Sequence, residues 1–219
     1  ALSTVNRDMA PFRAAQAKVL SPGAPNSEAA WQEALKATPN ANGRRTLYLD
    51  RGERLKLLEN ISAESAPFAR ALCLLPLRPG ALSALTAGDF DKRTSELTIG
   101  KDKTGKPRRI QLPKEAAKLL AAQAKNKLPS AALFMRANGK GWDKDSWKLP
   151  IAAAVAAAGL PGDATAYTLR HSTITDLVSA GLPLLTIAQI SGTSAEMIER
   201  HYGHLASDAA VKALGELAL

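Results

Sequence analysis

Apolar residues recur at helical spacing along most of this 219-residue chain, which predicts a mainly α-helical protein. Residues 1 to about 40 read as helices, with Val5, Met9 and Phe12 roughly on one face and a loop rich in proline and glycine at 21–27. The apolar fraction is 46%, which is enough for a substantial core.

Two further helices are predicted after this region. The first begins after Leu47, where Asp50 suits the N-cap position and Leu55, Leu58 and Ile61 follow with helical periodicity. The second is more apolar and spans about 67–75.

A β-hairpin then interrupts the helical pattern. Leu97 and Ile99 alternate along one strand, Gly105 lies in the turn, and Ile110 and Leu112 lie on the returning strand. Its basic residues are Lys101, Lys103, Lys106, Arg108 and Arg109. Such a charge run is usually a solvated edge that resists aggregation, and the alternative is a hairpin tip that enters a DNA groove.

The remaining pattern is helical. Helices are predicted at 113–127, at 151–159 and, after the final tyrosine, at 207–219. The fold class is therefore predicted as mainly α with a small antiparallel β-hairpin, an α+β arrangement.

The stretch 167–204 carries the densest candidate chemistry. Tyr167, Arg170 and His171 share one helix face at spacings of three and four residues, so they could contact one ligand. Two glycine-containing stops divide the stretch into three short helices, which could bring Arg170 close to Tyr202.

Charge and cysteine content narrow the function classes. The 29 basic and 20 acidic residues give a net charge of +9, which favours a polyanionic partner such as nucleic acid. The single cysteine, Cys73, excludes an internal disulfide framework and favours a reduced, cytoplasmic protein. No apolar run approaches the roughly 18–20 residues that span a bilayer, and the absence of a Met at Ala1 predicts a fragment or processed chain.

Three separated motifs resemble the tyrosine recombinase family, also called lambda-type or phage integrases. The run LRPGAL contains Arg78 at a turn that proline and glycine enforce, and KTGK contains Lys103. In the family an H-x-x-R pair precedes an L-G-H motif and a nucleophilic tyrosine. Here Tyr167-x-x-Arg170, Thr193 and Tyr202 occupy those places with the same spacing.

The resemblance implies a role for each matching residue. Arg78 and Arg170 would clamp the non-bridging oxygens of a DNA phosphate, because planar guanidiniums suit this geometry. Tyr202 would form the covalent 3′-phosphotyrosyl link, and Lys103 would protonate the leaving 5′ oxygen. The motifs imply neither a metal nor another cofactor.

Three positions depart from the family pattern. Ala81 stands where an acidic residue usually follows the first arginine, so Arg78 must be oriented by another group. Tyr167 replaces a histidine and Thr193 replaces a histidine or tryptophan, although both retain a hydroxyl that could donate to phosphate. We therefore expect Tyr167 and Thr193 to slow catalysis without abolishing it.

The resemblance also predicts domains and partners. Residues 1–45 would be the last helices and linker of a helical DNA-binding domain, and 46–219 would be the catalytic domain. Double-stranded DNA is the expected partner, with Lys101, Lys106, Arg108 and Arg109 as contacts and a homotetramer as the assembly on DNA.

Two other functions compete with a strand-cutting integrase. One is a related domain that binds DNA with little catalysis. The other is a helix-turn-helix regulator, because the segment at 186–200 also resembles that two-helix signature. Glu196 and Glu199 would repel phosphates in such a recognition helix, and this alternative leaves Arg78 unexplained.

Overall fold

The computed structural model describes residues 2–19, 32–39, 41, 47–100 and 107–215. Contacts divide the chain into two units, Ala1–Arg45 and Thr46–Leu219. That the first unit is the end of a helical DNA-binding domain stays a prediction.

The first unit contains α1, Leu2–Val19, in the region where the sequence predicts a helix. The side chain of Asn6 both donates to and accepts from the backbone of Thr38, at 2.8 Å each, which ties α1 to the following segment. The helix itself, described in full, has no buried residue, so its predicted apolar face is exposed at Val5 and Phe12. The predicted loop at 21–27 lies outside the described residues.

Helix α2, Arg51–Asn60, opens the second unit. Asp50 is its N-cap, as predicted, and forms a capping box in which it accepts from the backbone N–H of Glu53 at 2.8 Å. The predicted apolar face is wrong in one residue, because Leu55 is 48% exposed while Leu57 is fully buried.

Two helices then lead to the small sheet. Helix α3 is Ala66–Leu74, and the short helix α4 is Pro79–Ser83. Strands β1 (Phe90–Asp91), β2 (Glu96–Ile99) and β3 (Arg108–Gln111) form an antiparallel sheet in that order. Strands β2 and β3 are the predicted hairpin, whereas the two-residue β1 was not predicted.

The main core lies among α2, α3 and two helices that follow the sheet. These are α5, Lys114–Ala124, and α6, Lys148–Ala157. Phe68 stacks between Trp142 and Trp147, with ring centroids 5.5 and 5.6 Å away. Both tryptophans are buried, which makes them packing residues rather than exposed base-stacking platforms.

Three helices complete the second unit. Helix α7 is Ala166–Ser179, α8 is Leu184–Ser191 and α9 is Ala195–Gly215. They pack on one another around a second apolar cluster that includes Ile187 and Ile198. The predicted helix at 207–219 is confirmed over its described part, 207–215, but it begins earlier than predicted, because α9 runs without a break from Ala195 through Tyr202 to Gly215.

The predicted class, mainly α with a small antiparallel sheet, is confirmed by this order of elements. Within the described ranges, every helix is too short or too polar to span a bilayer.

Candidate active site

Arg78 reaches the site from the N-terminus of α4. It is the N-cap residue of that helix, and Pro79 fixes the first helical position after it. Nη1 of Arg78 donates a hydrogen bond to the carbonyl oxygen of Gly192, 114 residues away. In this position Arg78 is half-buried. Because Ala81 offers no carboxylate, the Gly192 carbonyl is the group that orients Arg78.

Arg170 lies on α7 and is 8% exposed. Its Nη1 donates to the carbonyl oxygen of Pro76 and, at 2.9 Å, to that of Ser191. Burial, and then the nearby charge of Arg78, lower the pKa of Arg170 to about 10. Arg170 therefore stays protonated at neutral pH, and its two described acceptors are neutral carbonyls.

Arg108 joins this pair from strand β3. Strand pairing places Arg108 opposite Ile99, on the same face as the buried Leu97. Its guanidinium lies so close to Gly192 that a Cβ on that glycine would overlap it. The charge of Arg108 also lowers the pKa of Arg170, so three guanidiniums share one region.

Arg109, the next residue on β3, points the other way. Its side chain is 74% exposed and lies 3.6 Å from the carboxylate of Glu96. The alternation of a strand thus separates the two predicted DNA-binding arginines: Arg108 lies in the cluster and Arg109 on the outer surface.

Gly192 lies in the turn that these arginines contact. It ends α8 in the left-handed conformation, with φ +69°, and its N–H donates to the Ala188 carbonyl at 2.9 Å. That conformation turns successive carbonyls, of Ser191 and Gly192, outward from the end of the helix, and each accepts from an arginine.

Tyr202 lies on α9, about two turns into the helix that follows this turn. Its ring packs into the second apolar cluster and is 9% exposed. Its hydroxyl oxygen lies 2.8 Å from Nδ1 of His171. Tyr202 also opposes the lowering of the Arg170 pKa.

Two of the three departures from the family pattern lie close in the chain to residues of the cluster. Tyr167 is in the first turn of α7, is 43% exposed, and also opposes the lowering of the Arg170 pKa. Thr193 is half-buried and immediately follows Gly192, with its N–H donating to the Ala188 carbonyl at 3.1 Å.

The remaining predicted site residues are Lys101, Lys103 and Lys106. They lie outside the described residues, so their roles stay predictions.

The arrangement suits a phosphate group. Three guanidiniums gather in a partly buried region, where bonds to a charged ligand are stronger than in water. Tyr202 lies on the helix that follows the turn to which Arg78 and Arg170 bind. Across the described part of the chain, His, Cys, Asp and Glu side chains form no group of three that could hold a metal ion.

Two features of the site were missed in the sequence. The alternation of β3 could have placed Arg108 on the buried face with Ile110, since these residues are two apart. The sequence places His171 on the same helix face as Arg170, but it does not predict the contact between His171 and Tyr202, because that contact depends on how α7 and α9 pack.

Comparison with known proteins places this site in a family. The model of the phage integrase family matches residues 49–208. No curated protein shows a significant sequence match to the chain.

Several solved structures share the fold. The Tn1549 transposon integrase, solved with circular intermediate DNA, aligns over 100% of this chain and 86% of its own at 19% identity and a TM-score of 0.68. XerA recombinase aligns over 86% of this chain and 72% of its own at 21% identity and a TM-score of 0.64. The catalytic domain of bacteriophage HP1 integrase aligns over 77% of this chain and 95% of its own at 21% identity and a TM-score of 0.57.

The family match covers more than half of the sequence and contains Arg78, Arg170 and Tyr202. The chain therefore belongs to the phage integrase family, and residues 49–208 are a tyrosine recombinase catalytic domain.

Proposed function

We propose that this site-specific tyrosine recombinase cleaves and rejoins DNA strands through a covalent link between Tyr202 and a 3′ phosphate. One observation carries the proposal. Arg78 and Arg170 both donate to carbonyls of the turn formed by Ser191 and Gly192, directly before the helix that carries Tyr202.

The arginine cluster would bind the scissile phosphate. Attack on phosphorus increases the negative charge on the two non-bridging oxygens, and guanidiniums of Arg78 and Arg170 can donate to both. Arg108 would add a third positive charge at the same place. Burial is the main cause of the lowered pKa of Arg170, and the charges of Arg78 and Arg108 lower it further, so a bound phosphate would be favoured for relieving their mutual repulsion.

Strand transfer follows as an exchange of phosphoesters. The Tyr202 oxygen forms a bond to phosphorus, the bond from phosphorus to O5′ breaks, and the phenolic proton leaves to a base. We propose Lys103 as the acid that protonates O5′, on the strength of its place in the KTGK motif. Religation is the reverse exchange by a free 5′ hydroxyl.

Tyr167 and Thr193 are proposed to donate their hydroxyl hydrogens to the phosphate from the rim of the cluster. Losing one strong donor at such a site costs about 10²–10³ in rate in other enzymes. These two departures are the specific observation behind a second candidate, a domain that binds DNA with weak catalysis.

Double-stranded DNA is the proposed substrate, as in the Tn1549 complex. The net charge of +9 supports a polyanionic partner. The exposed Arg109 and the hairpin residues Lys101 and Lys106 are proposed as backbone contacts. We also propose that the protein forms a homotetramer on DNA, is cytoplasmic and originates in a phage or mobile element.

A suicide DNA substrate tests the proposed function. A nick next to the scissile phosphate lets the short product diffuse away, so the covalent protein–DNA adduct accumulates. Wild type is expected to give this adduct and Tyr202→Phe to give none. Tyr48→Phe is the matched control. It removes the same hydroxyl group outside the cluster, where Tyr48 donates a hydrogen bond to Asp176 at 2.8 Å.

The same assay separates the alternatives. Duplex binding without any adduct in wild type would favour the binding-only domain. The helix-turn-helix alternative predicts that Arg78→Ala keeps sequence-specific binding and that no adduct forms in any variant.

A further inference from the structure

We propose that His171 is a further catalytic residue, the base that accepts the phenolic proton of Tyr202 during attack on phosphorus. This inference rests on the proposed function, since it requires Tyr202 to be the nucleophile. It concerns a histidine that follows the arginine of the Tyr167-x-x-Arg170 motif, not a position in that motif.

The geometry places a base directly on the reacting atom. Nδ1 of His171 lies 2.8 Å from the hydroxyl oxygen of Tyr202, within the range for transfer along a hydrogen bond. The two rings lie with centroids 5.1 Å apart and planes at 35°, so they also pack on each other. His171 is half-buried and Tyr202 is buried, which shields the bond from bulk water.

The other described side chains of the cluster are poor proton acceptors. The guanidiniums of Arg78, Arg108 and Arg170 carry only donors. Tyr167 carries a phenol at the family's histidine position, and a neutral phenol is a far weaker base than an imidazole. Imidazole is the side chain whose unperturbed pKa lies nearest neutrality, so His171 supplies a function that Tyr167 lacks.

The proposed step balances in protons and electrons. Neutral His171 carries its proton on Nε2 and accepts the Tyr202 hydroxyl hydrogen at Nδ1. As the bond from the phenolic oxygen to phosphorus forms, the proton moves to Nδ1 and the bond to O5′ breaks, with O5′ protonated by the acid. In religation, imidazolium His171 returns the proton to the departing phenolate.

A fluorinated nucleophile distinguishes a base from a packing residue. Fluorine lowers the pKa of a phenol, so 3,5-difluorotyrosine at position 202 depends less on a base than tyrosine does. His171→Ala is expected to slow adduct formation by about 10²–10⁴ with the natural phenol. With difluorotyrosine we expect that penalty to shrink at least tenfold.

His171→Gln provides the second variant and guards against misfolding. Its amide can still accept a hydrogen bond from the phenol but cannot accept the proton, so it should lose activity nearly as His171→Ala does. His204→Ala is the control, because His204 is exposed on the same helix as Tyr202 and should keep full activity. Duplex affinity, measured in parallel, should stay within about twofold for all three variants.

The outcomes separate this inference from the proposed function. An adduct that requires Tyr202 but forms equally fast without His171 would overturn only the inference. Full activity in His171→Gln, or an equal His171→Ala penalty with both phenols, would do the same, because either result assigns His171 to positioning. An adduct that persists in Tyr202→Phe, or none in wild type, would overturn both proposals.

Discussion

Gly192 is the position where one added methyl group should damage the arginine cluster. Its φ of +69° lies in the left-handed region, and a Cβ there would overlap the guanidinium of Arg108, with Nη2 only 2.5 Å away. Gly139 and Gly159 are matched controls, because their φ values are +76° and +65° and a Cβ on either meets nothing within 4 Å. Gly192→Ala therefore combines backbone strain with a clash, whereas the controls carry the strain alone.

The expected magnitudes follow from these two costs. A left-handed alanine costs roughly 1–2 kcal/mol, which is the loss in unfolding free energy expected for Gly139→Ala and Gly159→Ala. Displacing the Arg108 guanidinium from its half-buried position should add about 1–3 kcal/mol at Gly192. This excess should vanish in an Arg108→Ala background, where no guanidinium remains to be displaced.

Urea unfolding followed by tryptophan fluorescence measures these free energies, since Trp142 and Trp147 are buried in the second unit. The covalent adduct assay then reports the effect on chemistry. Gly192→Ala should slow adduct formation by about 10²–10³, as for loss of one donor at the reacting charge, while both controls stay near wild type. The reasoning is refuted if Gly192→Ala costs no more than the controls, or if its excess survives without Arg108.

Three further predictions test the surroundings of the site. Arg109→Ala should weaken duplex binding evenly across sequences and reduce the slope of log affinity against log salt by about 1, measured by fluorescence anisotropy; an unchanged slope would place Arg109 off the DNA. The hydrogen bond to Asp176 raises the pKa of Tyr48, so its stabilising effect is present below the ordinary value of about 10 and is lost as pH rises through the folded value. Asp176→Asn should lower the pKa of Tyr48 relative to its value in wild type, measured by ultraviolet titration. The signal of Tyr48 is identified by its loss in Tyr48→Phe, and an unchanged pKa would remove Asp176 as the cause. Asp50→Ala should lower the unfolding free energy by about 1 kcal/mol through loss of the α2 capping box, with the adduct rate unchanged.

Local features of the fold were predictable because short stretches of sequence determine them. Asp50 caps α2 through a neighbour three residues away. Leu97 and Ile99 alternate toward the core as strand residues do. Gly192 ends α8 because it adopts a conformation that other residues disfavour.

Features set by distant contacts were not predictable in the same way. The buried face of α2 includes Arg54, which pairs with Asp176 on α7. Because a charged residue lies on this face, the apolar pattern did not predict that Leu57 is buried. The partner that orients Arg78 is a backbone carbonyl, and backbone acceptors leave no residue type to recognise in a sequence. The continuity of α9 was not predicted, because it depends on how this helix packs on α7 and α8.

The candidate site likewise has a part that the sequence predicts and a part that depends on distant contacts. The resemblance of three motifs to the family identified Arg78, Arg170 and Tyr202 as candidates, and the structure joins Arg78 and Arg170 at one turn. The placement of Arg108 against Gly192 depends on how β3 packs against α8, and it required the three-dimensional arrangement.

Identification of the residue that becomes attached to DNA is the most direct measurement. The chain has three tyrosines, Tyr48, Tyr167 and Tyr202, so nuclease trimming of the trapped adduct followed by peptide mass spectrometry can separate them. We predict that the residual nucleotide is found on the peptide containing Tyr202 and on no other. A nucleotide on Tyr167 or Tyr48, or an adduct through a different residue type, would contradict the proposed chemistry.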